Sequence, residues 1–280
     1  MISYQGSKIA FLTQHGKQEF LKAPLELAIG CQLIHTDGYN TDLLGTFTGD
    51  VLRAGTQLEA ARRKALIGME LTGLEIAISS EGAFEGGPFA GLIPWDTEVL
   101  LWVDRINGLE IVGVSQGPAQ SNQKSISSQE ELLQFATEAK FPEHHLVVRP
   151  EHKDHQDVVK GIRDQGELIR AFELAKSKSR NDVVIVENDL RAFSNPTRQG
   201  VIREAADNLI LKLKSECPIC CTPGFWIDRY IPGLPCSSCG TKTKVPKAEV
   251  WLCSRCGFTK EHQMKTSQYA DPRYCDFCNP

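Results

Sequence analysis

The 280-residue sequence predicts an α/β domain, a mixed sheet flanked by helices, followed by two small cysteine-rich ribbons. Three observations carry this expectation. Short apolar runs alternate with amphipathic stretches as far as residue 214. An Asn107-Gly108 turn adds a hairpin to the βα units. Nine of the ten cysteines then fall between Cys217 and Cys278, which puts the main boundary near Ser215.

The elements follow in order. Lys8 to Thr13 (KIAFLT) and Gln32 to His35 read as strands around a helix from Gln18 to about Gly30. Leu58, Ala61, Ala65, Leu66 and Met69 recur at steps of three and four, so Thr56 to Leu71 is an amphipathic helix. Leu74 to Ser79, Glu98 to Val103 and Leu109 to Val114 are strands. The polar stretch 117–128 (GPAQSNQKSISS) is a linker between two lobes or a surface loop within one domain. Beyond it, Gln129 to Lys140, Gly166 to Lys176 and Thr197 to Lys214 are helical, and Leu146 to Arg149 and Val183 to Glu187 are strands. The expected domains are residues 1–214, 215–245 and 246–280.

Composition excludes several classes. With 41% hydrophobic and 24% charged residues the chain is neither disordered nor fibrous. No apolar run reaches the ~20 residues that cross a bilayer, and the first ten residues lack the pattern of a signal peptide. We therefore expect a cytoplasmic protein with no membrane partner. A net charge of −4 gives no global attraction to nucleic acid.

The cysteine spacing carries the clearest chemistry. Cys217 and Cys220 precede Cys236 and Cys239, and Cys253 and Cys256 precede Cys275 and Cys278, both sets in a C-x2-C, spacer, C-x2-C pattern. Each pair sits on a tight turn that aims two soft thiolates at one ion, and four thiolates complete the tetrahedron zinc prefers. Two structural Zn²⁺ ions are expected, one in each ribbon. Spacing favours this sequential pairing; interleaved pairing is the alternative. Cys221 is a spare thiol that could exchange with Cys220, although the x2 spacing from Cys217 favours Cys220. A disulfide framework fits poorly with a cysteine-poor preceding region. Four thiolates leave no open coordination position, so these ions would not be catalytic. Between residues 215 and 280, eight Lys and Arg residues stand against six acids, too even a balance to imply a strong phosphate-gripping surface.

The larger region offers a second constellation. The first strand runs into Gln14-His15-Gly16-Lys17 at a helix start, where backbone N–H groups and a lysine suit a phosphate. Glu59 on the next strong helix and Glu81 at a strand end are candidates to share a Mg²⁺ ion, which takes one or two carboxylates plus substrate phosphates. Asp50, in the Gly/Thr-rich turn Gly45 to Asp50, is a candidate further ligand or base. Among the remaining histidines, His152 and His155 lie three apart but lack a further carboxylate ligand.

These residues carry a resemblance. Thr13 to Phe20 (TQHGKQEF) and Glu59 to Ala65 (EAARRKA) resemble the opening loop and the E-N-A-x-x-K-A helix of the nucleoside triphosphate pyrophosphatases that hydrolyse inosine and xanthosine triphosphates. Glu81-Gly82, the hairpin Glu98 to Val114, and Pro196-Thr197-Arg198 follow in similar order. The phosphate-loop asparagine is His15 here, and the helix asparagine is Ala60. The whole chain is also similar to an uncharacterised bacterial family that joins such a region to C-terminal zinc ribbons. The resemblance implies a Mg²⁺-dependent nucleotide hydrolase. Glu59, Glu81 and Asp50 would be its catalytic acids, and His15, Lys17, Lys64 and Arg198 would hold the phosphates of a nucleotide substrate. The alternative is a non-enzymatic adaptor whose zinc ribbons bind protein or nucleic acid.

Overall fold

The computed structural model describes residues 2–44, 55–86, 93–153, 155–264 and 268–280. The chain divides into two compact units, one of residues 4–210 and one of 211–280 with 1–3.

In the larger unit a five-stranded sheet has the order β2-β1-β3-β4-β5. Its strands are β1 (Lys8–Leu12), β2 (Gln32–Thr36), β3 (Ile76–Gly86), β4 (Pro94–Asp104) and β5 (Leu109–Pro118). The first three are parallel, as βα crossovers require, and the last three form an antiparallel meander. Helix α1 (Gln18–Ile29) links β1 to β2. Helix α2 (Gln57–Thr72) covers one face of the sheet with a stripe of small residues, Ala60, Ala61, Ala65 and Gly68, all buried. The stripe lets the helix come close: a Cβ on Gly68 would sit 3.4 Å from that of Leu12. Ser79 Oγ donates to the Ala61 carbonyl at 2.7 Å, tying strand to helix. Helix α5 (Pro196–Lys214) approaches the sheet at Gly113, where a Cβ would meet the Ala205 carbonyl at 2.4 Å.

A second, antiparallel sheet has the order β6-β9-β7-β8, formed by β6 (Gln123–Ile126), β7 (Leu146–Pro150), β8 (Val159–Ile162) and β9 (Val184–Asn188). Helices α3 (Gln129–Glu138) and α4 (Gln165–Lys178) pack on it around Leu132, Phe135, Leu146, Leu168 and Phe172. Each such side chain contributes about 1.5–3 kcal/mol by leaving water. The stretch 117–128 thus joins two sheets, although it is partly strand itself: β5 reaches Pro118, and β6 occupies most of its second half. Strand β8 has no strong sequence signal, being only four residues long and half exposed.

The smaller unit is built on an antiparallel sheet of order β10-β11-β12, with β10 (Trp226–Pro232), β11 (Pro246–Leu252) and β12 (Thr259–Gln263). Phe225, Trp251 and Phe258 make its small apolar centre beside Cys217 and Cys253. No helix among the described residues is long and apolar enough to cross a membrane.

Candidate functional site

The structure presents the cysteine clusters in the smaller unit and a cleft in the larger unit. In the smaller unit each Cys-x2-Cys pair forms a turn closed by a backbone N–H donating to the carbonyl of the first cysteine, as from Cys221 to Cys217, Gly240 to Cys236 and Gly257 to Cys253. Amides also point at the sulfurs, with Ile219 N to Cys217 Sγ and Ser238 N to Cys236 Sγ both at 3.4 Å. The turns converge in two groups, Cys217, Cys220, Cys253 and Cys256, and Cys236, Cys239, Cys275 and Cys278.

This corrects the sequential pairing expected from spacing: the ligands interleave, pair one with pair three and pair two with pair four. Sheet topology is the reason. Trp226 at the start of β10 is paired with Leu252 at the end of β11, so the turns flanking those positions meet at one end of the sheet. Pro232 is paired with Pro246, and Ala248 with Gln263, so the other two turns meet at the opposite end. A division between residues 245 and 246 therefore cuts both clusters.

The groups fit zinc. Zn–S bonds of about 2.3 Å in a tetrahedron put sulfurs about 3.8 Å apart. Cross-pair sulfur distances are 3.7 Å (Cys217 to Cys256), 3.6 Å (Cys220 to Cys253), 3.9 Å (Cys236 to Cys278) and 3.6 Å (Cys239 to Cys275).

Cys221 belongs to neither group. Its φ is 55°, matching Gly240 at 73° and Gly257 at 72° in the equivalent turns, so it occupies the left-handed position that closes the turn. A side chain there costs about 1–2 kcal/mol. Cys221→Gly should raise the stability of the zinc-loaded protein by about 1 kcal/mol with the metal content unchanged. Thermal melts and elemental analysis check both halves of that statement.

The cleft takes its walls from the end of β1, the Thr13–Lys17 loop, α2, β3, the end of β9 and the start of α5. His15, Lys17, Lys64 and Arg198 all line it, as does Glu81. Lys160 and Arg191 join them from the second sheet's side. The acids Glu187 and Asp189 also line the cleft, but each is held by an arginine, Arg149 for Glu187 and Arg191 for Asp189. Gly16 makes the β1 turn with φ of 70°.

Behind the wall lies a buried charge network. Lys17 Nζ donates to Ser80 Oγ at 2.8 Å and approaches Glu98 Oε2 at 3.4 Å. Arg198 Nε donates to Glu98 Oε1 at 2.6 Å, and its guanidinium lies over the Phe84 ring. Gly82 makes this approach feasible, since a Cβ there would come within 2.3 Å of Glu98 and 2.4 Å of Arg198. Burial pushes the Lys17 ammonium down to about 8, against the pull of Glu98. Burial alone would raise the Glu98 pKa, but Arg198 and Lys17 overcome it and hold the carboxyl low.

Asp96 stands on the same face of β4, 1% exposed, with neither carboxylate oxygen hydrogen-bonded. Burial, then the Glu98 charge, push it up from 3.8 to about 7. The native state thus holds a proton that the unfolded chain releases near pH 4, so this contribution to stability is complete below pH 4 and is lost as pH rises to 7. Asp96→Asn should flatten that decline and gain on the order of 2–4 kcal/mol above pH 7, at about 1.4 kcal/mol per pKa unit. Denaturation at pH 4, 6 and 8 reads the difference.

Glu59 is exposed and not among the lining residues. Its carboxylate accepts from Thr56 N at 2.7 Å and Thr56 Oγ1 at 3.1 Å, completing a capping box at the start of α2. Those bonds hold its pKa low. Glu81 is engaged by Lys64 Nζ. The two acids expected to share a Mg²⁺ ion are thus occupied separately. Asp50 lies outside the described residues. Glu98, Asp96 and Lys160 were not expected at all. Glu98 and Asp96 had a signal, acids at alternate positions on one face of an otherwise apolar strand.

A family model described as Domain of unknown function (DUF6671) matches residues 64–280, most of the chain. The chain belongs to the DUF6671 family. No curated protein and no solved structure matches it. The DUF6671 match includes Lys64, Glu81, Glu98, Arg198 and all eight clustered cysteines, and starts after His15, Lys17 and Glu59. It brings no activity with it, and these comparisons lend no support to the pyrophosphatase resemblance.

Proposed function

We propose that the cleft binds nucleoside triphosphates and hydrolyses them between the α and β phosphates, and that the two cysteine clusters hold structural zinc ions that order the smaller unit. The supporting observation is the convergence of Lys17, Lys64, Lys160, Arg191 and Arg198 on one cleft. Charge-assisted bonds from such groups suit a polyphosphate, which would compete with Glu81 for Lys64 and with Asp189 for Arg191. Mg²⁺ enters with the substrate phosphates, whose hard oxygens are its natural ligands.

A calorimetric titration of the zinc-loaded protein with mono-, di- and triphosphates in Mg²⁺, beside a pyrophosphate-release assay, tests this. Affinity should rise with phosphate number. Lys64→Met and Lys160→Met should each weaken triphosphate binding about tenfold to a hundredfold, at about 1.5–3 kcal/mol for a bond to a charged group. A folded, zinc-loaded protein that binds no nucleotide would end the proposal.

A second reading draws on the exposure of Tyr230, Tyr269, Tyr274 and Phe277 in the smaller unit. Aromatic faces standing in solvent suit an adaptor that docks protein or nucleic acid. Salt-dependent retention on single-stranded RNA, lost in Tyr230→Ala and Tyr274→Ala, would favour it.

A further inference from the structure

Adjacent serines within β3 have different surroundings. Ser79 uses its proton on the Ala61 carbonyl, on the α2 face of the sheet. Ser80 lies on the opposite face, lines the cleft, and meets Lys17 Nζ at 2.8 Å. No carbonyl receives the Ser80 proton among the described residues. Lys17 is buried, 5% exposed, and also faces the cleft.

We propose that Ser80 and Lys17 form a nucleophile and base pair, through which the nucleotide is cleaved by way of a covalent nucleotidyl-Ser80 intermediate. The substrate class rests on the nucleotide reading of the cleft; the pair itself rests on the geometry. In the first step the Ser80 Oγ–phosphorus bond forms and the phosphorus–oxygen bond to pyrophosphate breaks, its electron pair leaving with pyrophosphate. The hydroxyl proton passes to neutral Lys17 Nζ. In the second step water attacks the same phosphorus, the Oγ–phosphorus bond breaks, and the Lys17 ammonium returns a proton to Oγ. Water's remaining proton goes to solvent, so triphosphate and water yield monophosphate, pyrophosphate and one proton. No oxidant or reductant enters.

The surroundings suit both tasks of the lysine. A serine becomes nucleophilic when a base stands within hydrogen-bond reach, and a lysine serves as base only where it can lose its proton near neutral pH. Desolvation, with Arg198 from α5 and Lys64 from α2, draws the Lys17 pKa down, while Glu98 from β4 and Glu81 from β3 oppose them. The result is about 8. Asp96, on the face of β4 that carries Glu98, takes on negative charge as pH approaches 7. Arg198 and Lys64 remain at the cleft to meet charge developing on the phosphate.

The test uses an alkyl fluorophosphonate, a serine-directed organophosphorus probe that needs no nucleotide recognition, on the full zinc-loaded chain, with the modified residue mapped by mass spectrometry. Ser80 should be labelled and Ser79 not, with a rate rising as pH passes through about 8. Lys17→Arg keeps the positive charge but takes up no proton, and should slow labelling by about a hundredfold or more. In parallel, a nucleotide chiral at the α-phosphorus should be hydrolysed with net retention, the outcome of two displacements. Turnover with inversion, or an unlabelled Ser80 in protein that binds nucleotide, overturns the pair and leaves the nucleotide reading standing. Labelling of Ser80 in protein that binds no nucleotide does the reverse.

Discussion

A chain cut after Val245 should bind no zinc. Sequential ribbons would leave one complete site in such a fragment, with Cys217, Cys220, Cys236 and Cys239 all present. The interleaved arrangement leaves two ligands of each site and completes neither. The loss extends to packing, because Trp251 and Phe258, which cover Cys217 and Phe225, lie beyond the cut. Elemental analysis should find about two zinc ions in the intact chain, about one in Cys253→Ser, and about none in the fragment. Structural zinc contributes on the order of 10–16 kcal/mol to the folding of small modules. Chelation should therefore unfold residues 211–280, with loss of the ordered environment of Trp226 and Trp251 visible by fluorescence. A fragment retaining one tightly held ion would show the pairing to be sequential.

The second large effect concerns Glu98. It is fully buried between Lys17 and Arg198, and removing it leaves two cations inside the protein without their shared anion. Breaking a buried pair in this way costs about 3–5 kcal/mol, chiefly the desolvation of the charge left behind. Glu98→Ala should lower the urea midpoint at pH 7 accordingly, with little change in slope if the native state stays compact. Glu98→Gln keeps an oxygen for the Arg198 Nε bond and should lose less. Asp96 gives the experiment a further readout, since Glu98 is one of the groups holding its proton on. Without Glu98, Asp96 should ionise at lower pH and partly replace it. Adding Asp96→Asn to Glu98→Ala should then destabilise at pH 8, whereas alone it stabilises. Additive effects of the two changes would mean that the carboxyls do not interact.

Spacing made the eight zinc-ligand candidates legible, because two thiolates can reach one ion only from a tight turn. It could not reveal the partners, since spacers of fifteen and eighteen residues suit either pairing. The pairing is set by which strand ends meet. Cys221 was readable: it follows its pair just as Gly240 and Gly257 follow theirs, and the shared position indicates a turn residue rather than a ligand. The helix at Glu59 was predicted correctly, but the Thr56-x-x-Glu59 capping pattern explains that acid without a metal. Lys17, Lys64 and Arg198 stand at the loop and helix positions where the cleft opens. Asp96 lay outside the strand expected from Glu98 to Val103, which hid its alternation with Glu98; β4 begins at Pro94 and so carries both acids on one face.

Interleaving also affects how the protein is made. As the chain leaves the ribosome, the thiols of Cys217, Cys220, Cys236 and Cys239 emerge before either site has its other half. Not until Cys256 is added can the first ion be enclosed, and the second must wait for Cys278. During that interval four nascent thiols are open to oxidants and to competing soft metals, so a shortage of zinc would damage newly synthesised chains before it affected finished ones.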